Sequence, residues 1–216
     1  MNPFLVTAVL SYLSGSIPFG YLLVRLVRGE DIRHTGSGNI GATNVSRKSP
    51  LLGVLTLLLD ALKGFVPVLL ARLWAMHHWA SLGAQVHTAM EQTYLLASTA
   101  AFMAIVGHIF PIWLRFHGGK GVATGLGAWI GLAPRGVFAM VIVFVVMVIL
   151  FRYISLGSIT AAAIFPLAAW FMHDYHETPA MLWFIAASSS LIILKHQKNI
   201  RRLLAGTESR FREKRG

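Results

Sequence analysis

Residues 51–75 read LLGVLTLLLDALKGFVPVLLARLWA. The run exceeds the roughly 20 residues that an α-helix needs to cross about 30 Å of hydrocarbon, so it reads as a membrane span. Its two central charges, Asp60 and Lys63, stand at i, i+3 spacing. Either charge alone costs about 2.5–3.5 kcal/mol in mid-membrane, so the two are expected to meet as a structural ion pair facing the bundle interior. Comparable apolar runs occur near 3–27, 93–115, 155–172 and 179–195. Two shorter runs, Gly121–Leu132 and the Val/Met/Phe-rich Val137–Phe151, fall below a full span and read as tilted spans or half-helices lining a protein interior.

The whole chain of 216 residues follows suit: 56% is apolar and 12% charged, against roughly 25% charged in a soluble domain. A water-soluble fold is therefore excluded. The expected fold class is an all-α integral membrane protein, a bundle of about seven transmembrane helices, some short or half-spanning. With no internal repeat, the simplest organisation is one domain over 1–216. The N-terminus lacks the basic region of a removable signal, so residues 3–27 form a first span. The chain has no cysteine, which excludes disulfides, thiolate metal sites and a cysteine acyl-enzyme.

Charge placement orients the bundle. The 19 Lys and Arg outnumber the 8 Asp and Glu, and they gather at span ends rather than in a nucleic-acid patch. The positive-inside rule puts 29–50, Arg115–Lys120, Arg152 and the tail from Lys195 onward in the cytoplasm. It leaves 76–92 outside, with histidines and Glu91 but no Lys or Arg, together with 173–178 and its Asp174 and Glu177. The result is seven crossings with the N-terminus outside and the C-terminus cytoplasmic, Arg135 being the one misfit. Five crossings with a re-entrant pair preserve the same parity. His77, His78, His87, His173 and His176 lack zinc-site spacing and read as surface residues.

Four cytoplasmic segments are chemically unusual. The first is His34-Thr35-Gly36-Ser37-Gly38-Asn39-Ile40-Gly41-Ala42-Thr43-Asn44-Val45-Ser46-Arg47. It matches G-x-G-x-x-G, but the dinucleotide reading needs a preceding strand that this chain does not offer. What survives is a loop whose glycines let backbone N–H groups converge on an anion, or one that is simply flexible. The second, Phe116-His117-Gly118-Gly119-Lys120-Gly121-Val122-Ala123-Thr124, is not a phosphate loop of the Walker type, because Gly121 follows the lysine. Lys120 either helps hold an anion or snorkels to lipid headgroups. In Arg152-Tyr153-Ile154-Ser155-Leu156-Gly157-Ser158 the serines either donate to a phosphate or back-bond to their own helix. In the tail, His196, Asn199 and Leu203 fall on one helical face, whereas Arg201 and Arg202 lie off it and are expected to meet lipid phosphates.

Together with Leu59-Asp60-Ala61-Leu62-Lys63-Gly64 and Gly107-His108-Ile109-Phe110-Pro111, these segments resemble the bacterial membrane family of acyl-phosphate:glycerol-3-phosphate acyltransferases. The motifs recur in order across almost the whole chain. The resemblance implies a seven-helix inner-membrane enzyme with a cytoplasmic active site, no cofactor and no metal. Its substrates would be glycerol-3-phosphate and acyl phosphate, and its product lysophosphatidic acid. Position by position it implies His196, Lys120 and Ser37 as catalytic residues, and Arg47, Asn199, Thr43, Ser158, Gly118 and Gly119 as substrate-binding ones. Where the family commonly has lysine before the paired glycines, this chain has His117.

An acyl phosphate already carries its leaving group, so direct attack by the glycerol hydroxyl needs no covalent acyl-enzyme. The absence of cysteine and of a G-x-S-x-G elbow then fits. The protein must instead hold two like-charged molecules together, with Arg47 and Lys120 as clamps. The proton passes to His196 or to a substrate phosphate, and Glu208 tethers basic tail residues. Gly125, Gly127, Ala128 and Gly131 are expected to flank an acyl-chain groove or to serve helix packing. A membrane carrier for organic phosphates is the rival function, but its basic and glycine-rich elements would lie at the midplane rather than on one side.

Overall fold

The computed structural model describes residues 2–175 and 178–211. His176 and Glu177, expected in an outer loop, and the terminal Arg212, Lys214 and Arg215 lie outside the described residues. All regular elements among the described residues are helical. Five stretches are long and apolar enough to cross a membrane: Pro3–Arg28, Pro50–Ser81, Val86–Leu114, Pro134–Phe151 and Ile154–Phe171. A sixth apolar helix covers Ala180–Lys195. The protein is a multi-pass membrane protein, and its chain groups into two compact units, 1–132 and 133–216.

In the first unit, the span expected near 3–27 is broken into α1 (Pro3–Ser16) and α2 (Phe19–Arg28). Pro18 disfavours helical geometry at Ile17, which is extended at ψ 115°. The short α3 (Ala42–Val45) precedes α4 (Pro50–Ser81), whose start is capped by Ser49. Next come α5 (Val86–Ile109) and α6 (Val122–Ile130). At 1.5 Å per residue, nine-residue α6 reaches only about 14 Å, half the hydrocarbon thickness.

Every backbone break inside a bilayer leaves groups that water cannot satisfy, and this unit supplies partners for them. Pro67 lies inside α4 and cannot donate to the carbonyl of Lys63, four residues earlier. Ser14 Oγ donates to that carbonyl at 3.2 Å. At the far end of α6, Arg72 Nη1 donates to the Gly131 carbonyl at 2.6 Å, and its guanidinium lies over the Tyr94 ring. The cation thus meets the negative end of a helix dipole. The anticipated Asp60–Lys63 pair is present at 2.8 Å, with both side chains buried.

Glycines permit the tight crossings. A side chain at Gly127 would strike the Ala61 carbonyl of α4, and one at Gly64 would strike the Thr124 carbonyl of α6. Of the two roles weighed for Gly127, close packing is the one visible in the backbone.

In the second unit, α7 (Pro134–Phe151) and α8 (Ile154–Phe171) pack against one another, followed by α9 (Ala180–Lys195) and α10 (Gln197–Leu204). The run expected over Val137–Phe151 starts three residues earlier. Pro134 suits a first helical position, and Asp174 accepts from the Gly136 amide at 2.5 Å. Asp174, read from sequence as an outer charge, is buried by this capping role. Most of α7 is exposed and apolar, including Phe138, Ile149 and Leu150, as a lipid-facing helix requires.

Replacing Arg72 with leucine removes the charge-assisted bond to Gly131. We expect a loss of about 1.5–3 kcal/mol, read as earlier unfolding in a detergent titration. Arg72→Lys should recover part of that loss.

Candidate active site

The first glycine-rich loop is built around one buried amide side chain. Asn44 Oδ1 accepts from the Ser37 amide at 2.9 Å. Asn44 Nδ2 donates to the carbonyls of Asn39, Thr35 and Ile32 at 2.8, 3.0 and 3.3 Å. Gly36 has φ +58°, and a side chain there would collide with Asn44 Oδ1. The Gly41 amide donates to Asn39 Oδ1, and the Gly38 amide to the Thr35 carbonyl. The amides of Ser37, Gly38 and Gly41 are therefore engaged within the loop. The expectation that the glycines aim their amides at an anion is corrected for Gly38 and Gly41. The loop is instead a rigid frame from which Ser37, Thr43 and Arg47 are exposed.

Asp31 fixes the entry to this frame. It caps the turn Ile32–His34 and pairs with Arg33 at 2.6 Å. The hydrogen bond from Arg33 holds its carboxyl down at about 2. Beneath the loop lies an apolar cluster of Val24, Ile32, Ile40, Val45, Leu52 and Leu114. Leu114 comes from the connection between α5 and α6, so the structure seats the two glycine-rich loops of this unit on one core.

That second loop folds back onto the end of α5. Arg115 and Phe116 both take positive φ, 52° and 62°, and His117 Nδ1 meets the Arg115 carbonyl at 2.6 Å. The return brings the Gly118 amide to the Ile109 carbonyl at 3.2 Å and the Gly119 amide to the His108 carbonyl at 3.1 Å. A side chain at Gly118 would hit the His108 carbonyl and Pro111, and one at Gly119 would hit the His108 imidazole. The paired glycines are thus required by backbone approach, with their amides already satisfied. Lys120, half-buried, follows directly and precedes the first turn of α6.

The second unit gathers the remaining expected residues. Glu208 is its hub: Oε1 accepts from Ser155 Oγ and Asn199 Nδ2, both at 2.6 Å, and Oε2 accepts from Arg202 Nε at 2.6 Å. Burial tends to raise the Glu208 pKa, but the hydrogen bonds from Ser155, Arg202 and Asn199 outweigh it and hold the carboxyl below its ordinary 4.5. The anticipated tethering of a basic tail residue by Glu208 is present. Arg202 makes that contact through Nε, while its side chain stays partly exposed. Arg152 and Phe211 exchange backbone and side-chain bonds that return the tail to the α7–α8 junction.

His196 and Asn199 are both buried, at 1% and 5% exposure, consistent with the common face expected from their spacing. His196 Nδ1 lies 2.8 Å from the Ile192 carbonyl. A carbonyl only accepts, so Nδ1 carries the proton, and in the neutral ring Nε2 holds the lone pair. Ser158 Oγ donates to the Ile154 carbonyl at 3.0 Å, the back-bonded arrangement.

Two organising roles are hard to read from sequence. Asn44 was visible only as another small polar residue in a loop, and Glu208 only as a tether for basic tail residues, without its bonds to Ser155 and Asn199. Asn44→Ala would orphan the Ser37 amide and the Asn39 carbonyl, each costing about 1–3 kcal/mol if left dry. Exchange of the Ser37 amide should accelerate by at least tenfold, as followed by hydrogen-exchange mass spectrometry. Because the Glu208 pKa is lowered in the folded protein, its stabilisation is present above 4.5 and is lost as pH falls through the folded value. Protease protection of residues 205–211 should therefore decline in acid, and Glu208→Gln should show the weaker protection already at pH 7.

A family model described as Glycerol-3-phosphate acyltransferase matches residues 5–206. The chain is 44% identical over 213 residues to the glycerol-3-phosphate acyltransferase of Syntrophotalea carbinolica, covering 98% of this chain and 100% of the relative. It is 45% identical over 203 residues to that of Trichlorobacter lovleyi, covering 94% of each. Among solved structures it is similar to PlsY, described as an integral membrane glycerol 3-phosphate acyltransferase. The glycerol 3-phosphate form is 36% identical with TM-score 0.79, and 96% of this chain and 95% of that one align. The lysophosphatidic acid form is 34% identical with TM-score 0.76 over the same shares. With motifs, helices and relatives in agreement over nearly its full length, the chain belongs to the glycerol-3-phosphate acyltransferase family.

Proposed function

We propose that this protein, working as a single domain over 1–216, acylates the 1-hydroxyl of sn-glycerol-3-phosphate with acyl phosphate as donor. The products are 1-acyl-glycerol-3-phosphate (lysophosphatidic acid) and inorganic phosphate. The family match over residues 5–206 carries this reading. The absence of cysteine from the sequence supports direct transfer over a cysteine acyl-enzyme. The positive-inside pattern supports about seven transmembrane helices in the bacterial inner membrane, the short α6 spanning only part of it, with an external N-terminus and a cytoplasmic active site.

In this reaction the glycerol oxygen bonds to the acyl carbonyl carbon, and the bond from that carbon to the phosphate oxygen breaks. Phosphate leaves with the electron pair. The hydroxyl proton passes to a phosphate oxygen of the bound substrates, while His196, its tautomer held by Ile192, orients the glycerol. Lys120 and Arg47 offset the charge of two phosphate-bearing molecules, and Ser37 and Thr43 donate from the rigid loop. Asn199, fixed by Glu208, and Ser158, once its hydroxyl turns from the Ile154 carbonyl, complete the binding set, and Gly118 and Gly119 contribute shape. The acyl chain is assigned to the apolar groove of Leu58, Ala61, Leu62, Phe65, Leu126, Gly127 and Ile130. The transfer needs neither cofactor nor metal.

Purified protein in detergent, given glycerol-3-phosphate with acyl phosphate, acyl-CoA or acyl carrier protein in turn, should yield lysophosphatidic acid from acyl phosphate alone. Product from another donor at a comparable rate would overturn the donor assignment. Lys120→Ala should lower kcat/KM by roughly 10- to 100-fold; activity within twofold in folded protein would remove its role. His196→Gln should retain turnover within about tenfold if substrate phosphate takes the proton, and a loss beyond a thousandfold would make the imidazole the base.

A further inference from the structure

The first unit contains a buried charged cluster that the proposed chemistry does not use. Lys63 Nζ lies 2.8 Å from Asp60 Oδ1 and donates to the Ile17 carbonyl at 2.6 Å. The Lys63 ammonium thus fills the α1–α2 break that Pro18 creates. On the other side of the pair, His108 Nδ1 stands 3.7 Å from the same Asp60 oxygen, at 4% side-chain exposure. The opposite edge of that imidazole is pressed against the α-carbon of Gly119, leaving no room for a methyl group. The His108 carbonyl also receives the Gly119 amide.

A buried ion pair is weak evidence for stability, because desolvation offsets most of the Coulomb attraction. Its geometry here has a more specific consequence. Asp60 and Lys63 sit one turn apart on α4, so each charge has a fixed direction. Lys63 holds the break between α1 and α2, and Asp60 faces the imidazole that backs the residue before Lys120. No flexible side chain intervenes between that imidazole and the turn, so displacement of the ring passes directly to the backbone.

We propose that Asp60, Lys63 and His108 form a positioning unit that sets the Gly118–Gly119 turn and thereby aims the Lys120 ammonium. This inference rests on the role proposed for Lys120. His108 does not touch substrate on this reading; it acts through Lys120. Misplacement of a catalytic group by about 1 Å costs up to roughly a hundredfold in rate, so a measurable effect is expected from a side chain outside the site.

The decisive experiment is a double-mutant cycle between His108 and Lys120, measured as kcat/KM for glycerol-3-phosphate in purified, monodisperse protein. His108→Ala is expected to lose at least tenfold in the parent protein and less than twofold in a Lys120→Ala background. Equal losses in both backgrounds would overturn the proposal, since a general folding defect does not depend on the lysine. Activity of His108→Ala within twofold of the parent would overturn it as well. If His108→Ala fails to fold, His108→Gln takes its place with the same criteria. A steric arm is independent: Gly119→Ala should be impaired, and Gly119→Ala with His108→Ala should be more active than Gly119→Ala alone. No recovery in a folded double variant would count against the contact. Full activity of Lys120→Ala by itself would instead sink the role of Lys120.

Discussion

Inside hydrocarbon a backbone group that loses its helical partner has no water to turn to, and this constraint governs the first unit. Pro67 frees the Lys63 carbonyl and the Ser14 hydroxyl donates to it. The break at Ile17 is met by the Lys63 ammonium, and the end of α6 by Arg72. Each irregularity is placed where a side chain from a distant helix reaches it. A half-length helix such as α6 is tolerable in a membrane only on those terms.

The same economy shapes the loops. The glycine-rich segments have the composition of anion nests, yet the amides of Ser37, Gly38, Gly41, Gly118 and Gly119 bond within the protein. Their glycines admit Asn44 and His108 at van der Waals contact. The outcome is rigidity: exposed Ser37, Thr43 and Arg47 project from a frame cross-linked through Asn44. For acylation of glycerol-3-phosphate, a phosphate-bearing substrate, preorganised cations and hydroxyls are the chemically demanding component. In the second unit, Glu208 does for Asn199 and Ser155 what Asn44 does for the first loop.

Much of this was legible in the chain itself. The long apolar runs located the helices, the spacing of Asp60 and Lys63 announced their pair, and the common burial of His196 and Asn199 followed from a helical repeat. The break at Ile17 and the early start of α7 were not legible. Ser155 and Glu208 are 53 residues apart, and no local pattern states that they meet.

The sequence alone determined what depends on length, periodicity and charge: a helical membrane protein with polar segments between its spans. Those properties are summed over neighbouring residues, so a linear reading captures them. Tertiary structure decided which polar atoms are engaged and which face outward, because hydrogen bonding is directional and short-ranged. Whether a glycine binds a ligand or makes way for a neighbour depends on what stands within a few ångströms of its α-carbon. Chain folding alone brings that neighbour into place.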